Sequence, residues 1–433
     1  MTNMFEKLMM SNNMGRLTSQ ETDYWKMFLG KVLKVGEEYE VVIPNDHGVS
    51  DTIRSFQHHF RPSGRIDHPG QHGIYDIKQD GSVPHGLELV TAGRRFDWKV
   101  FYNMNKKIMD KFQEIEMYTT YHTGMHIHIL AGYNEYDTEL ERNVPEIILA
   151  NYYQLHRIFA PELFFMASSG TTRHGLTRYT LFRRPPFDFS PLQTSMRSIR
   201  EQMSAKYGKY QMINLNPLSF SDNTVSRFHV EIRYPDTLLS PSYASAIVAL
   251  EVALLNKAID LSQIGLISMK QIEYDYRKRM FDKFANLGTG DRDSDTSELT
   301  DDDIKRLSEM ASEMVKWLKS EIVSINPTAY EILQKIALEP ASLMRVSGKS
   351  WRMIEEHLYS PEIIDNESMD KIKEIIIMQQ ITDCDNTIQW KNKVSSRVGI
   401  SQQKVGELIT KMGTEKVMVF DKEIGAMLFK QLV

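Results

Sequence analysis

The sequence predicts an α+β fold built in several parts, on three observations. Up to about residue 275, short runs with apolar residues at every second position alternate with longer helical patterns. A glycine-bearing acidic stretch then interrupts the chain near position 290, and roughly the last 55 residues read as two short helices followed by two strands. At 433 residues the chain is also too long for one compact core, which argues for two or three domains.

The strand readings rest on VGEEYEVVIP, GLELV, MHIHIL and FHVEIRY, which lie among Gly, Pro, Asp and Asn turn residues. Helical patterns run from Val144 to Met166 and from Pro241 to Asp260. From Asn286 to Asp303 there are seven acidic residues against one arginine, with Gly288 and Gly290, the composition of a solvated linker. Thr300 followed by Asp301-Asp302-Asp303 supplies an N-cap and negative charge for the positive end of a helix dipole, so helices are expected from there on. Near the end, Trp390 to Val398, the turn Gly399-Ile400-Ser401, Gln402 to Met412, then VMVF and AMLF joined by DKEIG, make a winged helix-turn-helix pattern. The expected organisation is a domain 1–285, an acidic linker 286–303, a helical region 304–378 and a winged-helix-like module 379–433.

Composition narrows the function classes. With 41% apolar and 25% charged residues the chain is ordinary for a soluble globular protein, and 52 basic against 57 acidic residues leave no global field for nucleic acid or anionic lipid. The single cysteine, Cys384, can form neither an internal disulfide nor a thiolate zinc site, which fits a reducing compartment and predicts a cytoplasmic protein. The first residues lack a basic segment leading into an apolar one, so no secretory leader is expected. The most apolar stretch, Tyr243 to Ile259, is interrupted by Glu251, Asn256 and Lys257 and reads as a buried helix; no membrane partner is expected.

Candidate chemistry lies on four strand-like segments. In a strand, residues i and i+2 share a face, so Glu38 with Glu40, and His126 with His128, point together. Glu88 sits between apolar neighbours in Leu87-Glu88-Leu89, and Glu231 shares a face with Arg233 in His229-Val230-Glu231-Ile232-Arg233. Two carboxylates facing one cavity repel unless a cation separates them, so Glu38→Gln is expected to leave thermal stability unchanged or raised. One alternating charged strand ordinarily marks the wet face of a sheet. Four together, with hard oxygen donors, imidazole and an arginine, describe a magnesium or manganese site that meets nucleotide phosphate.

In this order, G-E-E-Y-E from Gly36, D-G-S-(x)3-G-L-E-L-V from Asp80, T-G-M-H-I-H-I from Thr123, K-Y-x-x-x-N-L-N from Lys209 and V-E-I-R from Val230 resemble the amidoligases of the carboxylate-amine ligase superfamily. That superfamily shares its catalytic fold with glutamine synthetase and glutamate-cysteine ligase. The resemblance covers about residues 30–265 and implies a curved antiparallel sheet with packed helices around a site where ATP and divalent metal meet a carboxylate substrate. It implies Glu38, Glu40, Glu88, His126 or His128, and Glu231 as metal ligands, with His126 favoured of the two histidines, and Arg233 on the transferred phosphate. Lys209 and Asn214, in the fourth motif, are expected nucleotide contacts. The implied activity is ATP-dependent amide or peptide bond formation through an acyl phosphate, with a carboxylate and an amine, free or carried on a peptide or protein, as substrates. The alternative is an inactive ligase-like scaffold that binds nucleic acid or protein through its C-terminal module.

Two departures stand out: the insert DTIRSFQHHFRPSGRIDHPGQHG, and Arg227-Phe228-His229 ahead of V-E-I-R, where small residues would be usual. The insert's His58, His59, His68 and His72 are read as a polar irregular loop rather than a metal site. Arg173, Arg178, Arg183 and Arg184 follow the loop Ser168-Ser169-Gly170-Thr171-Thr172 and either hold a substrate carboxylate or nucleotide phosphate or solvate a surface; Arg173 is the expected nucleotide contact and Arg178 the expected catalytic one. From 379 to 433, seven Lys and one Arg stand against three Asp and three Glu, a weak surplus for gripping DNA, so weak DNA binding and protein docking are both expected there.

Overall fold

The computed structural model describes residues 4–65, 72–120, 122–131, 143–169, 195–222, 224–286, 300–413, 418–421, 424 and 426–429. The chain divides into two compact units, Met1–Leu358 and Tyr359–Val433. The first unit begins with α1 (Met4–Lys7), β1 (Leu8–Ser11), α2 (Ser19–Val32), β2 (Lys34–Val42), α3 (Val49–Phe60), β3 (Ile74–Asp80), β4 (Gly86–Thr91) and α4 (Trp98–Glu114). It continues through β5 (Met125–Ala131), β6 (Val144–Pro145), α5 (Glu146–Ile158), α6 (Ala160–Met166), α7 (Met196–Tyr207), β7 (Ile213–Asn214), β8 (Ser219–Ser221) and β9 (Thr224–Ile232). It closes with α8 (Pro241–Leu261), β10 (Leu266–Met269), α9 (Gln271–Asn286), α10 (Asp301–Trp317), α11 (Lys319–Ile325), α12 (Pro327–Leu338), α13 (Ala341–Val346) and α14 (Trp351–Leu358).

The architecture is α+β, with an antiparallel sheet in the order β3-β4-β2-β5-β9-β6 and short β7 and β8 also paired to β9. Alternation decides how the sheet is used. Val35, Tyr39, Val41, Leu87, Leu89, Met125, Ile127, Ile129, Val230 and Ile232 are fully buried, and they share the face that also carries Glu37. On that side Glu37 meets Asn105 of α4, and Asn105 in turn meets Ser245 of α8, so these two helices back the sheet. Helix α8 is buried along nearly its whole length, as its composition requires. Its charged positions are satisfied inside the fold: Lys257 pairs with Glu321 at 2.9 Å, and Glu251 accepts from Tyr152 and Tyr234 and is hydrogen-bonded to His156. Among the described residues no helix is long and apolar enough to cross a membrane.

Two expectations are revised by packing. The segment around His58 and His59 is not an irregular loop but the end of α3, whose Thr52, Phe56 and Phe60 recur at helical spacing as a buried stripe. His68 lies outside the described residues. The helical region 304–378 is divided: α10–α14 belong to the first unit, because α10 packs on α6 and α12 on α8. Thr300 does form a capping box with Asp303 at the start of α10; the acidic stretch 287–299 before it lies outside the described residues.

The second unit contains α15 (Pro361–Ile377), α16 (Thr387–Val398), α17 (Gln402–Gly413) and an antiparallel pair, β11 (Met418–Asp421) with β12 (Ala426–Phe429). Its own core gathers Ile372, Ile376, Trp390, Val394, Val405 and Leu408. Gly399 ends α16 at φ 81°, a left-handed conformation that glycine adopts without a Cβ penalty.

Candidate functional site

Register brings the separate sequence pairs together. Across β2 and β5 Glu38 faces His126, across β2 and β4 Glu40 faces Glu88, and across β5 and β9 His128 faces Glu231. Directly paired residues share a sheet face, so Glu38, Glu40, Glu88, His126, His128 and Glu231 all point away from α4 and α8. The same face takes His229 and Arg233, two positions either side of Glu231.

The contacts are close. His126 Nδ1 lies 2.9 Å from Glu38 Oε2 and 3.5 Å from Glu231 Oε1, and its Nε2 lies 3.6 Å from Glu40 Oε1. His128 Nε2 lies 3.0 Å from the other Glu38 oxygen, Oε1, and its Nδ1 lies 2.9 Å from His229 Nε2. Glu231 is fixed from two sides, by the Arg233 guanidinium and by Asn214 Nδ2, which donates to Oε2 at 2.5 Å. Lys78, on β3, reaches Glu88 at 3.0 Å.

Electrostatics separates these groups. Burial opposes ionisation of Glu38, yet His128 and His126 outweigh it and hold its carboxyl well below the ordinary range. Burial likewise opposes ionisation of Glu231, but Arg233, then His126 and His128, bring it down to about 2. Glu88 moves the other way, to about 7, through burial and the Glu38 charge, against Lys78. His126 is lowered by burial and by Arg233, which favours the neutral imidazole that can ligate a cation. His128 is raised because Glu38 and Glu231 outweigh its burial, and His229 is pushed down to about 4 by burial and by His128.

Glu38, His126 and Glu231 offer one ligand atom each, all within 4.8 Å of one another. Two hard carboxylate oxygens and an imidazole nitrogen suit a divalent cation such as magnesium or manganese. Glu40 and Glu88 face each other across β2 and β4 on the same side, with Glu40 Oε1 3.6 Å from His126 Nε2. Lys209 is exposed, its ammonium 6.0 Å from the Tyr210 ring centroid. Arg173 and Arg178, with Arg183 and Arg184, lie outside the described residues. His229 and Lys78 had no role in the sequence reading. The i−2 spacing of His229 from Glu231 was the available signal; for Lys78 there was none without the β3–β4 register.

Glu37, on the opposite face of β2, is fully buried, and its Oε1 accepts from Tyr39 Oη and Asn105 Nδ2, each at 3.1 Å. Burial raises its pKa to about 7, against the lowering influence of Asn105, Tyr39 and Arg94. Its contribution to stability is therefore complete below the ordinary value of 4.5 and is lost as pH rises through about 7. Glu37→Gln is expected to raise the melting temperature at pH 8.5 and to change it little at pH 5; scanning calorimetry at the two pH values checks the sign.

No protein-family model matches the chain, and no curated protein matches it. Among solved structures, a chain from the crystal structure of the complex between the prokaryotic ubiquitin-like protein Pup and its ligase PafA aligns with 91% of this chain and 85% of its own length. The identity is 11% and the TM-score 0.36.

Proposed function

We propose that the protein is an ATP-dependent carboxylate-amine ligase that forms an amide or peptide bond through an acyl phosphate. The observation that carries this reading is the convergence of Glu38, Glu40, His126 and Glu231 with Arg233 on one face of the sheet. Glu38, His126 and Glu231 would hold magnesium or manganese, with Glu40, Glu88 and His128 completing the donor set. When bound, that ion supplies charge neutralisation for the phosphate oxygens.

The protein's own residues then align and stabilise. Arg233 offers a guanidinium to the transferring phosphoryl group while Asn214 keeps Glu231 in place. Arg173, Lys209 and Asn214 are assigned to the nucleotide, and Arg178 to the substrate carboxylate. Substrate carboxylate oxygen attacks the γ-phosphorus and releases ADP; the amine then displaces phosphate from the acyl phosphate, so the gain comes from positioning three reactants. The helix-helix-helix-hairpin order of the second unit supports a winged-helix-like docking module, and its small positive surplus favours a protein partner over DNA.

The test is ADP and phosphate release on incubation with ATP, Mg2+ or Mn2+, and pools of amino acids and carboxylate-bearing proteins. Equal amounts of ADP, phosphate and new amide are expected, dependent on both substrates. ADP with a stable phosphorylated product and no amide would point to a phosphotransferase. No ADP from any pool would favour the non-catalytic scaffold.

A further inference from the structure

We propose that His229 is a positioning residue for the metal site, acting through His128 so that the His128 Nε2 nitrogen is presented to a cation beside Glu38. The inference rests on the metal-site reading above and deepens it. His229 and His128 lie on neighbouring strands, His229 facing Leu130 and His128 facing Glu231, and their rings meet with Nε2 of His229 2.9 Å from Nδ1 of His128. The opposite nitrogen of His128, Nε2, is the one that faces Glu38 Oε1, at 3.0 Å. Glu38 thus spans two histidines, with Oε2 toward His126 and Oε1 toward His128.

A neutral imidazole carries one N–H and one lone pair, so the two facing ring nitrogens need one donor and one acceptor. His128 Nε2 lies 3.0 Å from Glu38 Oε1, and the hydrogen shared between His128 Nδ1 and His229 Nε2 can sit on either ring. A cation at His128 Nε2 would need the lone pair there, which leaves the ring proton on Nδ1, so His229 Nε2 would have to accept. A ring with both functions does this without losing the hydrogen bond; a carboxylate or a backbone carbonyl could only accept, and a lysine could only donate. Partners of this kind, on the far nitrogen of a ligating histidine, set its tautomer and its basicity. An added imidazole donor also shifts the site's preference from Mg2+ toward Mn2+ and other borderline ions.

The experiment is Mn2+ binding to the full chain, followed by the electron paramagnetic resonance signal of free Mn2+, with Mg2+ as competitor. His229→Phe removes both functions and is expected to weaken Mn2+ binding roughly 10- to 100-fold and to erode the Mn2+ over Mg2+ preference. His229→Asn, whose amide can donate or accept, is expected to restore binding to within about threefold of wild type, a rescue that a packing role alone would not give. Thermal melts check folding, and His229→Leu replaces the Phe variant if that one does not fold. Mn2+ binding lost in Glu38→Gln but unchanged in His229→Phe would overturn this assignment while leaving the metal site standing. Absence of any Mn2+ binding by the wild type would overturn both.

Discussion

Replacing Glu38 by glutamine is expected to reduce nucleotide turnover by on the order of 10³-fold, the scale on which an electrostatic catalytic group is lost, and to abolish tight Mn2+ binding. Glu38 is the residue to change because its two oxygens face two different histidines, and because its carboxyl is held ionised against its burial. The structure also reverses one expectation about stability. From sequence, Glu38 and Glu40 only repel, so removing one charge should cost nothing. In the fold His126 and His128 both approach Glu38, so glutamine forfeits charge-assisted contacts worth about 1–3 kcal/mol. The folded state lowers the Glu38 pKa, so this contribution is complete above the ordinary value of 4.5 and is lost progressively as pH falls from there through the folded-state value, well below it. Denaturant titrations at pH 7 and pH 3 should show the wild-type advantage at the first and a smaller one at the second. Unimpaired turnover by Glu38→Gln would place the chemistry elsewhere.

The largest effect on stability is expected from Glu251→Ala. Glu251 is fully buried in α8, accepts from Tyr152 Oη at 2.7 Å and Tyr234 Oη at 2.6 Å, and shares a hydrogen bond with His156 Nε2 at 2.7 Å. Alanine would leave two buried hydroxyls and the His156 ring nitrogen without their partner and open a void among them. The cost is put at about 3–5 kcal/mol from the penalty for orphaned buried polar groups. Tyr234 directly follows Arg233, so the same cluster anchors the end of the strand beside the Arg233 guanidinium that holds Glu231. Chemical denaturation should reveal the loss; a change below about 1 kcal/mol would mean that water or repacking satisfies the donors.

The elements of the site were legible in the sequence because a strand has a period of two. Glu38 with Glu40, His126 with His128, and Glu231 with Arg233 announce a shared face whatever surrounds them. The same logic hid Glu37. Lying one position from Glu38, it points to the other face, where its carboxyl joins Tyr39 and Asn105 among apolar neighbours. Helix α3 was obscured for a different reason. Its buried Thr52, Phe56 and Phe60 stripe is sparse beside the histidines, and the Gly and Pro that follow suggested a loop.

By itself the sequence determined the α+β class, the paired strand motifs, the capped start of α10 at Thr300 and the two terminal strands now seen as β11 and β12. Each of these is a local property, carried by side-chain alternation, turn residues or a cap within a few positions. Only the tertiary structure decided that His126 stands between Glu38, Glu40 and Glu231, that His229 backs His128, and that α10–α14 pack with the sheet-bearing unit. Those facts depend on strand order and register, which join residues about 190 positions apart in the case of Glu38 and Glu231. Period-two patterning tells which residues share a face, but not which strand lies beside which; that choice is made by the burial of α4 and α8 against the other side of the sheet.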